Sequence, residues 1–533
     1  MKKILYTICL AAAPLFFQAC DNLDLSPIDY NASGNYWQNE TQVKGFVDGL
    51  HNDLRSQLNQ QYLEYGELRG EIQKTSANLC GPNSKMGNYI INSISESLTL
   101  KSNWGGFYGK ILQVNLMIEQ LENGCAFLSD SKRNYYKGVA YGLRAYYYFW
   151  LYRSYGGVPL ELTVKVTQGS VNAADLYMER ASAEETLNQI KTDVNASLSA
   201  FDASSDKSAN YYYWSKDASL MLKGEVYLWS AKVTTDDPKA PHTATGSTED
   251  LTTAKNALNQ LTGYSLEADF GKLFSKSGKK NNKEVILSLY MDKDEATSGL
   301  FKTYFYHPGF NGTIVVDEEG NELGQDPLNL LGSALQYEEY KRTLVDSYDK
   351  VDGRRAATFF EFYRKEDLAF GCNMLKFFGH SDASAHYYDA DIHLYRYADA
   401  ILMLAEIENA LTGKCATYIN QIRERAYGEN WSNEFAYVDG DYAANELAIL
   451  KERDKEFVGE GKRWFDLLRL HDANKQPLVF AAEAGYAEEG MEQLPVLDKA
   501  TESYKILWPI ESSLVGADPL LTQTVNYPTV ANN

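Results

Sequence analysis

LYRYADAILMLAEIENALTG (394–413), YINQIRERAYG (418–428) and NELAILKERDKEFVGEGKRWFDLLRL (445–470) set the fold class. In the first, Leu394, Tyr397, Ile401, Leu404 and Leu411 recur at offsets of 3, 7, 10 and 17, which puts them on one face of an α-helix. Thr412 and Gly413 stop it. In the second, Tyr418, Ile422 and Ala426 at i, i+4 and i+8 predict a short helix lying antiparallel to the first after a tight connection. In the third, Leu447, Leu450 and Phe457 form an apolar stripe, interrupted at Gly459 and Gly461 and resumed at Trp464, Leu467 and Leu468. The spacing predicts a mainly α, densely charged scaffold.

Arg453 falls at the edge of that stripe, where an unpaired buried charge would cost several kcal/mol, so a partner among Glu452, Glu456 and Glu460 is expected. Arg463, Asp466 and Arg469 make an i, i+3, i+6 ladder of alternating sign. An acid/base pair among these carboxylates is disfavoured, because nothing nearby supplies a nucleophile, an oxyanion hole or a metal.

Several separated blocks also carry a resemblance. Arg396-Tyr397-Ala398-Asp399 with Leu402, Ala405 and Glu406, then Asn420, Arg423, Arg425 and Ala426, then Glu452-Arg453, Glu460-Gly461, Arg463, Asp466-Leu467 and Arg469, are similar in order and spacing to the carboxy-terminal signature of the SusD/RagB family. The closing Trp508-Pro509-Ile510, Asp518-Pro519-Leu520 and Tyr527-Pro528 resemble that family's end, with Asp518 and Thr524 as departures. Asn115, Arg144-Ala145-Tyr146-Tyr147 and the Tyr155–Leu160 block resemble its amino-terminal pattern. The resemblance implies a surface lipoprotein of the outer membrane that binds a nutrient, usually a glycan, without catalysis and without a cofactor. It also implies hand-over to a SusC-like TonB-dependent transporter through a hinged lid motion, and a tetratricopeptide-like helical-pair scaffold carrying an irregular insertion with a few short strands. The W-x-x-L-G-x-x-Y repeat consensus is not evident, so the repeat expectation rests on the resemblance and on helix pairing.

At the amino terminus, Lys2 and Lys3 precede an apolar run from Ile4 to Phe17, too short to span a bilayer and suited to a signal peptide over residues 1–19. Cys20 stands where a bacterial lipoprotein is cut and acylated, followed by an acidic Asp21-Asn22-Leu23-Asp24 tether within residues 20–38. Multiple acyl chains would make such anchorage stable where a single chain is marginal. Loss of two lysines and no acid moves the formal charge from −21 to −23, a poor match to nucleic acid or anionic lipid. The remaining Cys80, Cys125, Cys372 and Cys415 show no C-x-x-C spacing, and four cysteines permit three pairings.

The rest divides into a helical part (39–263), an irregular insertion (264–393) and the signature region (394–533). Helices are expected over Asn39–Leu58, where Asn39 and Gln42 suggest a capping box, and over Phe107–Leu121, Lys132–Tyr155, a segment capped by Ser182 and Glu185, Ser215–Lys232 and Leu251–Leu261. Val285–Tyr290 reads as a short strand. Residues 60–106 lack a sustained period, which is long for an unstructured connection and marks a candidate ligand region.

Thirty-nine tyrosines and eight tryptophans suit a sugar platform, because a pyranose presents an apolar C–H face to a ring while its hydroxyls reach polar groups. Those at helical spacing read as core. Trp104 is the expected stacking residue, with Tyr306 and His307 opposite it and Arg69 and Glu71 as polar partners. His386, Asp389, Asp391 and His393 match no zinc spacing, and the Asp292 and Asp317 clusters lack the later ligands of a calcium loop, so no metal is expected. Three alternatives to a glycan binder are a peptide binder of the RagB type, a secreted glycoside hydrolase, for which no feature selects a carboxylate pair, and a pure interaction scaffold.

Overall fold

The computed structural model describes residues 36–75, 85–98, 104–165, 172–208, 210–279, 282–298, 315–324, 326–331, 338–488 and 490–527. Residues 1–35, with Cys20, and Cys80, Tyr306 and His307 lie outside them. The long helices are α1 (Glu40–Gly66), α2 (Gly105–Asn123), α3 (Asp130–Tyr155), α4 (Ala183–Asp202), α5 (Lys216–Lys232), α6 (Thr248–Leu258), α7 (Tyr397–Thr412), α8 (Ala416–Tyr427), α9 (Tyr442–Phe457) and α10 (Arg463–Arg469). Each from α1 to α6 packs on the next, α7 closes on α6, and α8 and α9 close on α7, which makes the tetratricopeptide-like helical-pair scaffold. No helix among the described residues is long and apolar enough to cross a membrane.

Side-chain caps set the helix starts. Ser182 and Glu185 complete a capping box at α4, and Ser215 accepts from the Ala218 amide at α5. At α1, Asn39 accepts from the Gln42 amide, but the Gln42 side chain reaches back to Gln38 instead of Asn39, so the box is only half formed. Helix α1 also runs eight residues past the expected Leu58, burying Tyr62 and Tyr65. Propensity and burial continue the helix where apolar periodicity fades, and the expected loop is shortened by that much.

The strands are short. β1 (Gln73–Thr75) pairs antiparallel with β5 (Glu338–Tyr340), and β2 (Val285–Leu289) pairs with β10 (Ile392–Arg396). The largest sheet has the order β4 (Glu322–Gly324), β3 (Val315–Val316), β6 (Phe359–Arg364), β7 (Phe370–Met374), and β8 (His380–Ser381) pairs with β9 (His386–Tyr387). The helix expected from Leu394 therefore begins only at Tyr397. Leu394 to Arg396 are spent on β10, and the Tyr397 amide donates to the Glu284 carbonyl beside β2.

The signature residues are interior. Arg453 is buried as expected, but its partners are Asp399 at 2.9 Å and Asp466 at 2.8 Å, not Glu452, Glu456 or Glu460. Glu452, Glu456 and Glu460 are drawn off by Arg354, Arg396, Arg423, Arg425 and Lys376 from other segments. Within the ladder, Asp466 pairs with Arg469 at 2.9 Å, while Arg463 turns to Asp454 at 2.6 Å.

Two buried histidines make the fold acid-sensitive. The His51 ring accepts from the Trp214 amide and donates to the Val47 carbonyl, both at 2.8 Å, so it is held neutral. Burial lowers both His51 and His393 to about 4. Each folded pKa lies below that of the unfolded chain, near 6.5, so the unfolded state takes up protons first as pH falls. Between pH 6.5 and 4 each of the two, and His471, which burial lowers to about 3, should take about 1.4 kcal/mol per pH unit off the unfolding free energy read from urea titrations. Glu67, which burial raises to about 7, offsets one of the three down to pH 4.5. A flat profile from pH 6.5 to 4 would contradict this.

A candidate ligand groove at Trp104

Trp104 is the N-cap of α2, and its carbonyl accepts from the Phe107 amide, so the indole is fixed against the first turn of a helix. Trp104 is 6 % exposed. Its ring meets Tyr108 edge-on at 5.9 Å and Tyr155 at 5.2 Å, and what remains uncovered forms part of the wall of an open groove of about 340 Å³. That volume is at the lower end of the range of small-molecule sites.

The groove has two walls beside α2. After α3, Gly156 adopts a left-handed φ of 76°, and a Cβ on Gly157 would sit 2.2 Å from the Ala181 carbonyl oxygen, so this pair turns the chain back tightly over α2 and α3. The returning segment is pinned from beneath. Arg144 grips Asp193 with two hydrogen bonds of 2.8 and 2.7 Å and donates to Asn115 Oδ1, which leaves the Asn115 amide to donate to the carbonyls of Glu161 and Thr163. Tyr108 donates to the Pro159 carbonyl at 2.7 Å and Tyr148 to that of Glu161 at 2.8 Å. Asn115 and Arg144 thus position the groove instead of entering it.

The opposite wall comes from the end of the chain. The Trp508 amide donates to the Ser154 carbonyl, Thr524 donates to the Trp508 carbonyl, and Asp518 accepts from the amides of Met178 and Leu520. Asp518, a departure from the family's closing pattern, therefore ties that wall to the segment before α4. Leu112, Leu176, Met178, Leu514 and Leu521 make the interior apolar, and Glu161, Thr163, Lys165 and Asp518 supply polar groups. Burial raises the Tyr108 phenol, which stays a neutral donor. An apolar trough with hydroxyl, carboxylate and ammonium groups suits an amphipathic ligand: one apolar face against the rings, polar groups outward.

The other residues expected here divide. Arg69 is fully buried, with its guanidinium 3.9 Å from the Trp464 ring and 4.8 Å from that of Trp508, and it donates to Asn92 and to the Lys505 carbonyl. It presents no surface to a ligand, and burial lowers its pKa to about 10. The packed rings of Trp508, Tyr65 and Tyr155 lie between it and Trp104. Glu71 pairs with Lys341 at 2.5 Å and does not line the groove. Tyr306 and His307 fall outside the described residues. Tyr108 was legible as the i+4 neighbour of Trp104 on one helix face. Glu161, Lys165 and Asp518 had no local signal, because three distant segments meet only in the fold.

The residues weighed for a metal each have another partner. His386 engages Ser381 and the Phe378 carbonyl, His393 engages Ser288 and the Leu273 carbonyl, Asp389 takes His380, and Asp391 takes Lys279. Among the described residues, no group of three or more His, Cys, Asp or Glu is arranged to hold a metal.

Comparison with known proteins covers both ends of the chain. The SusD family profile matches residues 363–527, and a profile described as starch-binding associating with outer membrane matches residues 38–228. SusD-like protein P38 of Formosa agariphila is 25 % identical over 99 % of each chain. A SusD superfamily protein of Bacteroides fragilis superposes with a TM-score of 0.81 at 36 % identity, covering 92 % of this chain and 100 % of that one. NanU of the same organism superposes at 0.78 and 32 % identity, covering 95 % and 100 %.

Proposed function

Because this chain belongs to the SusD family, we propose that it captures a glycan at the bacterial surface in the Trp104 groove and delivers it, unaltered, to a SusC-like TonB-dependent transporter. The observation that carries this reading is the ring pair Trp104–Tyr108 set at the head of a helix, facing a trough with polar groups from two other segments. The profile over residues 38–228, described as starch-binding associating with outer membrane, supports both ligand class and location. Anchorage is through an acylated Cys20 after removal of residues 1–19, with residues 20–38 as tether, the helical part over 39–263, the insertion over 264–393 and the signature region over 394–533. Tyr306 and His307 are proposed to complete the site from the insertion. The protein acts by binding and opening over the transporter, not by catalysis.

The apolar walls Leu112, Leu176, Met178, Leu514 and Leu521 would also accept a peptide side chain, so a peptide ligand is the second reading. Calorimetry of the purified protein against plant, host and microbial glycans and against a peptide library separates the two. Trp104→Ala is expected to weaken the bound glycan by roughly 30-fold, the loss of about 2 kcal/mol typical of a central aromatic anchor. Since this substitution also empties buried volume, Lys165→Glu on the exposed rim is run beside it and should lower affinity with no change in the urea midpoint. Glycan binding untouched by either variant would place the site elsewhere.

A further inference from the structure

A second cleft, of about 520 Å³, opens where α5 ends and shares no lining residue with the Trp104 groove. It lies between Lys232 and Thr234 at the exit of α5, Thr245 and Gly246 before α6, and Tyr442 and His471 from the signature region. A smaller chamber of about 50 Å³ adjoins it, the two sharing Val233, Thr234, Leu468 and Ile506 as walls.

The carboxylates beside the cleft are already committed. Lys232 takes Glu406 at 2.9 Å and Glu446 at 2.6 Å, Arg469 takes Glu406 at 3.0 Å, and the His471 amide donates to Glu446 at 3.0 Å. Donors are left over. Lys475 stands on a tight turn in which Asp472 Oδ1 accepts from the amides of Asn474 and Gln476, both at 2.8 Å, and the Asp472 amide donates to the Gln476 carbonyl. The turn holds Lys475 at φ 60°, a left-handed conformation uncommon for any residue that carries a Cβ. Its ammonium is stationed 2.9 Å from the centre of the Tyr442 ring, and no carboxylate among the described residues lies in ion-pair range. Burial lowers its pKa, as the nearby Lys232 does, against an opposing pull from Glu446.

The inner chamber adds two buried donors, and its lining also carries the exposed Asp236 carboxylate. Arg153 and Trp229, 3 % and 2 % exposed, both line it, and Arg153 Nε and Trp229 Nε1 are buried donors without an acceptor. Leaving such a donor unmet is unfavourable, and a polar chamber of this size has room for a bridging water.

From the unpaired Lys475 ammonium in the cleft and the two unmet buried donors beyond it we propose that the cleft binds a small carboxylate-bearing solute of monosaccharide size, with its carboxylate on the Lys475 ammonium. The remaining oxygens of the solute face the Thr245 hydroxyl and, through water, the donors of the inner chamber.

The probes are D-glucuronate and D-glucose, which share a ring and differ in the carboxylate, titrated calorimetrically into the purified protein. Glucuronate is expected to bind at least tenfold more tightly than glucose, and more weakly as salt is raised. Lys475→Gln, at an exposed position, should cost glucuronate roughly tenfold or more in affinity with the circular dichroism spectrum unchanged. Trp104→Ala should leave it unchanged, so this site and the Trp104 groove are judged separately. Absence of glucuronate binding, equal affinity for the two sugars, undiminished binding in Lys475→Gln, or loss in Trp104→Ala would each overturn the proposal.

Discussion

Replacing Arg396 by methionine is expected to lower the unfolding free energy by roughly 5 kcal/mol, the upper end of the cost of breaking a buried ion pair. Its guanidinium holds both oxygens of Glu460 at 2.8 Å and reaches Glu456 at 3.1 Å and Glu284, with all four side chains buried. Those glutamates come from the entry to β2, the end of α9 and the loop after it, so one side chain joins three segments. Burial alone would raise the Glu460 carboxyl; Arg396 and Lys376 beside it outweigh that and hold it low. Methionine fills similar volume but leaves three buried carboxylates with Arg425, Arg354 and Lys376 as their remaining near cations. Arg396→Lys keeps the charge without the fork that spans Glu460, and should fall between the two. Urea denaturation monitored by tryptophan fluorescence reads the series. A methionine variant within about 1 kcal/mol of the parent would show that the network contributes no net stability, as happens when ion pairs are replaced cleanly.

The second large effect is expected at Gly461. Its φ is 68°, and a Cβ there would stand 2.3 Å from the Tyr62 carbonyl oxygen and 2.8 Å from the Tyr62 ring. The approach is mutual, since a Cβ on Gly66 would lie 1.9 Å from the Gly461 carbonyl oxygen. Glu67 fastens this contact, accepting from the amides of Gly459 and Gly461 and from the Tyr340 hydroxyl at 2.8 Å. Backbone faces backbone here, so no rotamer change relieves the clash. Gly461→Ala combines left-handed strain with overpacking, together about 3–5 kcal/mol. Gly459 is also left-handed, at 81°, but its Cβ would meet the flexible end of Met374, which can swing away. Gly459→Ala should therefore cost less, and the reverse order in urea midpoints would sink the argument.

Local signals were readable wherever a few neighbouring residues suffice. The Ser182–Glu185 box, the Gly413 stop at φ 73° and the apolar stripe of α7 depend on side chains within one or two turns of each other, and all stand in the structure. The signature blocks were readable as a pattern, but not as contacts. Arg453 had three glutamates within seven residues of it and pairs with none of them, because burial puts Asp399 of α7 and Asp466 of α10 at its tip. Trp104 could be singled out as an aromatic before a helix. That it is nearly covered and shows a remnant to a groove follows from Tyr108, Tyr155 and the returning segment packed around it. Arg69 looked like a polar partner in a loop because sequence gives no sign that Trp464 and Trp508 close over it from hundreds of residues away.

The sequence by itself determined a mainly α chain, several of its helix caps, its strongly acidic balance and its family pattern. Helical period, capping and composition act over a few residues or over the whole, and each is complete in one dimension. The tertiary structure alone decided which charge meets which, where Gly461 touches Tyr62, that Arg69 is interior, and that Trp104, Glu161 and Asp518 share one groove. Those depend on approach between segments far apart in the chain. Pairing energies and steric limits act over a few ångströms, and only the folded path of the backbone sets those distances.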